Sequence, residues 1–362
     1  MSIESDLKKD GITVIEPLDT TTVNVIAKNV SKKIVAAFSN LGFDFDTLYE
    51  RFSKLPMYIA DMPEGMSEAS YFYKNSAIYF RDGMGLADLE KFAVHELIHN
   101  FQEQKNEKGD LTRLGLCTFK GSKPTGMALN EAAVQLLASN ILENTFETAT
   151  YYDITFSTVS PNCYPLLCNL IYQMAYVTGE EVLFESTFNS NDHFKNKFTA
   201  LCGENVYNQI SNYFDKILET EEKIIKISNK IQKNELSTAK VDSLYRKSDE
   251  LKKQLKSAYF STQELIINSY FTNSLKTLIT SDDVDIFRKK LYSFQDIIGT
   301  TTNYFFFNNY YIQVMEKLDS RYDSLSDYLD DDNTYLIPKK ENKFTKIINY
   351  IKKLMWKKES VR

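Results

Sequence analysis

The stretch Phe92-Ala93-Val94-His95-Glu96-Leu97-Ile98-His99-Asn100 decides how this chain is read. It lies within Leu86 to Gln104, where Leu89, Phe92, Ala93, Leu97, Ile98 and Phe101 are apolar, Asp88, Lys91, Glu103 and Gln104 are polar, and no Gly or Pro intervenes. That pattern predicts a buried helix with one polar side, its start favoured by Asp88 at the positive end of the helix dipole. Positions i and i+4 of a helix stand one above the other, so His95 and His99 can reach a single ion. Glu96 lies about 100° further round. It is badly placed to be a third ligand and well placed to act on a water at the same centre, which is the H-E-x-x-H arrangement of a catalytic zinc site. The alternative is a pair of core histidines satisfied by hydrogen bonds, which gives Glu96 no task. Two imidazoles hold zinc weakly, so the catalytic reading requires a third ligand.

Beyond a loop containing Gly109, Gly121, Pro124 and Gly126, a second helical pattern runs from Met127 to Ala138. Glu131 is its acidic residue. Ala128, Ala132 and Ala133 allow close approach to the first helix, while Met127, Leu129, Val134, Leu136 and Leu137 make the helix mostly buried. A lone Glu on a helix is usually solvated, whereas a buried carboxylate needs a cation or strong donors.

His95-Glu96-Leu97-Ile98-His99 followed by Asn130-Glu131 resembles the gluzincins, the thermolysin-like clan of zinc metallopeptidases, over roughly residues 50 to 140. The resemblance implies one catalytic zinc ion with His95, His99 and Glu131 as its ligands and Glu96 as the base. A metzincin would need glycine at position 102 and histidine at 105, where this chain has Gln102 and Lys105. The chain departs from the gluzincin pattern at Gln135, where many members carry an Asp that orients a ligand histidine. An amide oxygen there still accepts an imidazole N–H but brings no charge.

Tyr71-Phe72-Tyr73 and Ala77-Ile78-Tyr79-Phe80 flank Lys74-Asn75-Ser76 as two strands of a hairpin would, and Leu55 to Ala60 reads as a further strand. A small sheet is therefore expected ahead of the active-site helix. The resemblance implies an exposed edge strand near Ala77 to Phe80 that binds extended peptide by β-augmentation; a plain supporting hairpin is the simpler alternative. Residues Asp10 to Phe52 read as a strand around Ile12 to Ile15, then helices from Val23 to Phe38 and Phe43 to Phe52.

The third histidine, His193, stands 62 residues beyond Glu131 and is a candidate for the oxyanion-stabilising histidine that the resemblance implies. Ser190 to Asp192 also looks like a turn feeding a helix N-terminus, which would leave His193 an exposed first-turn residue. Tyr151, Tyr152 and Tyr164 are alternative donors to an oxyanion.

With 362 residues, 43% of them hydrophobic, the chain can bury a large core. Its first ten residues lack the apolar run of a signal peptide, and no stretch of 18 uncharged apolar residues occurs, so a cytoplasmic location is expected. Cys117, Cys163, Cys168 and Cys202 show no zinc-finger spacing and are expected to be free thiols. Downstream, Cys163 to Val177, Glu180 to Phe188 and Phe194 to Leu218 read as helices. Ile217, Ile224 and Ile231 repeat every seven residues, and Val241, Leu244, Leu251, Leu255 and Ala258 continue the stripe as an antiparallel hairpin would. Such a hairpin extends the core or, if it protrudes, grips a partner or substrate. Lys339 to Arg362 holds nine Lys or Arg against two Glu, while the whole chain carries −6. With Ile347, Ile348, Ile351, Leu354, Met355 and Trp356 it is a candidate amphipathic helix for an anionic membrane surface; docking on the acidic body, or a solubilising tail, is the alternative. No nucleic-acid partner is expected, because the rest of the chain is acidic.

The expected architecture is α+β and helix-rich. A zincin-like metallopeptidase domain spans 1–210, with a small N-terminal sheet and the H-E-x-x-H helix. A helical domain with a long hairpin spans 211–338, and the basic tail spans 339–362. The expected activity is a zinc-dependent endopeptidase acting on protein or peptide; the alternative is a non-catalytic protein that keeps the fold, with retained or structural zinc, for binding.

Overall fold

The computed structural model describes residues 3–63, 67–121, 123–233, 237–298 and 304–330. The basic tail 339–362 lies outside them. The N-terminal sheet contains β1 (Thr13–Pro17), β2 (Met57–Asp61), β3 (Ala69–Phe72) and β4 (Ala77–Arg81) in the order β1-β2-β4-β3. β4 is parallel to β2 and antiparallel to β3. Its side chains alternate between two buried faces. Ile78 and Phe80 join the main core, while Ala77 and Tyr79 join a smaller cluster closed by Leu7 of α1 (Ile3–Lys9) and by Ile12. A strand buried on both faces belongs inside a sheet. The expected edge near Ala77 to Phe80 is therefore corrected: β4 is internal, and the edge beside the site is β3. The opposite edge, β1, is exposed throughout and bulges between Val14 and Glu16.

The main core packs α2 (Thr20–Ala37), α3 (Phe45–Ser53) and α4 (Leu86–Gln102) on one face of this sheet. α4 ends two residues before the expected Gln104, because Glu103–Lys105 turns away as β5. The expected glycine-containing loop is a meander of β5, β6 (Leu111–Leu114), β7 (Cys117–Lys120) and β8 (Lys123–Thr125). Its strands are three or four residues long and mostly exposed, so they leave no clear two-residue apolar period. α5 (Met127–Ile141) follows, then the hairpin β9 (Glu147–Tyr151) and β10 (Ile154–Thr158).

Helices make up the rest of the described chain: α6 (Pro165–Thr178), α7 (Glu180–Asn189), α8 (His193–Cys202), α9 (Glu204–Lys233), α10 (Thr238–Leu275), α11 (Ser281–Ile298) and α12 (Tyr304–Asp330). The single helical stretch expected from Phe194 to Leu218 is broken between α8 and α9 by Gly203, whose φ of 100° is open to glycine. α9 and α10 pack along each other as the long hairpin. At its base Ile217, Ile224, Leu255 and Ala258 are buried in a core that runs continuously from Val23 to Leu318. Among the described residues no side chain between Ser228 and Lys247 is buried, so the tip projects beyond that core. Among the described residues, no helix is long and apolar enough to cross a membrane, and the four cysteines are free.

Candidate metal centre

α4 and α5 meet at their ligand-bearing faces. Ala93, Val94, Leu97 and Ile98 of α4 are fully buried, as are Ala128, Ala132 and Ala133 of α5, whose small side chains let the helices come close. The helices are then locked at one end by amides. Asn130 donates to Gln102 Oε1 (3.2 Å) and accepts from the Leu116 N–H (2.9 Å), while Gln102 donates to the Thr187 carbonyl (2.9 Å). Gly115 sits against this pair with φ of 55°; a Cβ there would come within 2.1 Å of Asn130 Oδ1 and 2.4 Å of Gln102 Nε2. At the same end, Gly126 opens α5 without a side-chain cap of its own, and Asp215 of α9 accepts from the Ala128 N–H at 3.3 Å.

This packing brings three donors together. His95 Nε2 and His99 Nε2 are 3.0 Å apart, and the Glu131 oxygens lie 3.3 Å from the first and 3.4 Å from the second. Three ligand atoms bound tetrahedrally to zinc at about 2.0–2.1 Å would be separated by about 3.3–3.4 Å. Each imidazole nitrogen thus has a Glu131 oxygen near that spacing, Oε2 for His95 and Oε1 for His99, and the three residues form a group that could hold a metal ion. His95 and Glu131 retain 13% and 17% of their side-chain exposure, so the cluster is open on one side, while His99 keeps 6%.

A chain of hydrogen bonds sets the His95 tautomer. The Ser160 hydroxyl donates to the Cys163 carbonyl (2.6 Å) and so accepts from Gln135 Nε2 (3.0 Å). The Gln135 oxygen then faces His95 Nδ1 at 2.9 Å. Nδ1 carries the hydrogen, which leaves the Nε2 lone pair aimed at the cluster. His99 Nδ1 is buried with no hydrogen-bond partner among the described residues, so no protein acceptor there dictates its tautomer. Burial opposes charge on His95, but Glu131, Glu96 and Gln135 outweigh it and lift the imidazole to about 9. Burial likewise opposes charge on Glu131, and the two imidazoles overcome it, holding the carboxyl well below its usual range. Without metal, His95 thus tends to keep a proton beside the Glu131 carboxylate, and a metal must displace that proton to bind.

Glu96 is on the adjacent face of α4, as its spacing predicts. It is 7% exposed, and its carboxylate accepts from the Tyr71 backbone N–H at 2.6 Å. Burial raises its pKa, and the fields of His95 and His99 work against that rise. Tyr71 belongs to the edge strand β3, so Glu96 and that edge are tied by one bond. The Arg51 guanidinium of α3 holds both the side chain and the carbonyl of Asn100, and Asn100 donates to the Tyr71 hydroxyl at 3.2 Å. Gln102, Gly115, Ser160, Arg51 and Asn100 carry no sequence motif, and only their packing reveals their part.

Of the proposed oxyanion donors, Tyr164 is beside the cluster, its ring centroid 6.3 Å from that of His95. It takes φ of 48° directly before Pro165, a backbone state costly for a bulky side chain. The Tyr151 and Tyr152 rings pack against each other, tilted by 56° with centroids 4.3 Å apart. His193 is not brought to the centre. It opens α8, half exposed, with Nδ1 3.5 Å from Glu185, as the first-turn reading expects. No protein-family model, curated protein or solved structure matches the chain.

Proposed function

We propose that the chain is a zinc-dependent endopeptidase of the gluzincin kind, with His95, His99 and Glu131 as ligands and Glu96 as general base. The observation that carries this reading is the convergence of His95 Nε2 and His99 Nε2, 3.0 Å apart, on the two Glu131 oxygens, Oε2 at 3.3 Å and Oε1 at 3.4 Å, with a buried carboxylate on the residue after His95. Zinc would supply the Lewis acid that polarises the scissile carbonyl and acidifies a water. Glu96, kept in place by the Tyr71 N–H, takes the proton from that water and passes it to the leaving amine. The β3 edge receives the peptide in extended form, and Tyr164 offers a hydroxyl to the carbonyl oxygen as it gains charge. The neutral Gln135 behind His95 favours a second reading, a binding protein that retains zinc without turnover.

The two separate on zinc content and on cleavage of an unstructured protein mixture by wild type, Glu96→Gln and Glu131→Ala. The peptidase requires equal zinc in wild type and Glu96→Gln, less in Glu131→Ala, and cleavage by wild type alone. Zinc in wild type without cleavage supports the binding reading. Absence of zinc from all three rejects the site.

A further inference from the structure

Glu96 and Asn100 stand one turn apart on the same side of α4, both buried, and Tyr71 of β3 grips the two together. Its backbone N–H donates to Glu96 Oε2 at 2.6 Å, and its hydroxyl accepts from Asn100 Nδ2 at 3.2 Å. Asn100 presents its nitrogen to that hydroxyl because its oxygen is taken: Arg51 Nε of α3 donates to Asn100 Oδ1 at 3.0 Å, and Arg51 Nη2 donates to the Asn100 carbonyl. The same guanidinium lies 5.1 Å from the centroid of the Phe101 ring. Three elements far apart in sequence thus converge on one carboxylate. Arg51 orients the Asn100 amide, the amide holds the Tyr71 hydroxyl, and the Tyr71 backbone holds Glu96.

The sheet alone gives Tyr71 little support. β3 has four residues and pairs with β4 on one side only. In an antiparallel pair a residue directs its N–H and its C=O to the same side. The Tyr71 N–H is turned to Glu96, and that of its partner Ile78 is turned to the Pro56 carbonyl at 3.0 Å, so this pair exchanges no ladder bond. The place of Tyr71 over α4 therefore depends on its own side chain. A group that takes a proton from one water must be held within about 0.5 Å of its working geometry. Resting on the peptidase reading, in which Glu96 is the base, we infer that Arg51, Asn100 and the Tyr71 hydroxyl are positioning residues for that base, acting through the Tyr71 N–H and touching neither metal nor substrate.

The backbone amide proton of residue 71, followed by 1H–15N correlation spectroscopy on the full chain with and without zinc, tests this. Glu96→Gln replaces a charged acceptor with a neutral one and marks the upfield shift that a weaker bond produces. Asn100→Ala, Tyr71→Phe and Arg51→Ala leave Glu96 and that N–H in the chain, yet each should shift the amide the same way. Each should also lower kcat for casein about 10- to 100-fold, while KM and zinc content hardly change. An amide that keeps its wild-type position in these variants, folded as judged by their remaining amides, would overturn the inference and leave Arg51 a cap on the end of α4. A shifted amide with wild-type kcat would overturn it as well. If the wild type cleaves nothing, a shifted amide still establishes that the chain of contacts positions Glu96, and only the peptidase is rejected. Cleavage with an unmoved amide does the reverse.

Discussion

Glu131 on α5 and Glu221 on α9 are both carboxylates largely withdrawn from water. At the metal centre two imidazoles within 3.4 Å overcome burial and keep Glu131 charged. On α9 the Glu221 Oε1 has no hydrogen-bond partner among the described residues, and burial moves the carboxyl the other way, to about 8. Burial has one sign in both places; the partner decides the outcome.

The largest break in this contrast comes from deleting the matched acid. Glu131→Ala leaves two buried imidazoles facing each other, so urea unfolding of the metal-free protein should show a loss of about 3–5 kcal/mol, and zinc should no longer co-purify. Next comes the unmatched acid. The native carboxyl of Glu221 keeps its proton up to about 8, whereas in the unfolded chain it ionises near 4.5. The native state therefore binds more protons across that window, and Glu221 makes stability fall as pH rises from 4.5 to 8. Glu221→Gln should remove that slope and be more stable than wild type at pH 7–8, by on the order of 2–3 kcal/mol without added cation; parallel pH profiles would break the comparison. Sharpening it further, Gln135→Ala withdraws the acceptor behind His95 and should weaken zinc binding about 10- to 100-fold in a competition titration with a chromogenic chelator. The smallest effect concerns Asp215, an acid partnered only by a backbone N–H. Asp215→Ala uncaps α5 and should lower thermal stability by about 0.5–2 kcal/mol, with zinc stoichiometry unchanged.

The centre was legible in the sequence because its geometry is local. His95, Glu96 and His99 need only 3.6 residues per turn to share a side of α4, and Glu131 needs only the next helix. The long helices were legible for the same reason, their apolar positions recurring over many turns. The meander β5–β8 was not, since strands of three or four residues carry too few periods to register. The place of β4 was missed because four apolar residues in a row suit a central strand, yet the implied substrate edge was assigned to it. Glu221 looked like any helix glutamate. Its burial and its unpartnered Oε1 depend on what the tertiary fold packs against α9, and no spacing within α9 encodes that.

Gly115 has a consequence for how the protein tolerates change. The distance between α4 and α5, and with it the span from the two imidazoles to Glu131, is held by an amide pair that touches this residue where any side chain would begin. A saturation mutagenesis survey should therefore mark position 115 as intolerant as the ligand positions themselves, although the residue there brings no functional group to the chemistry.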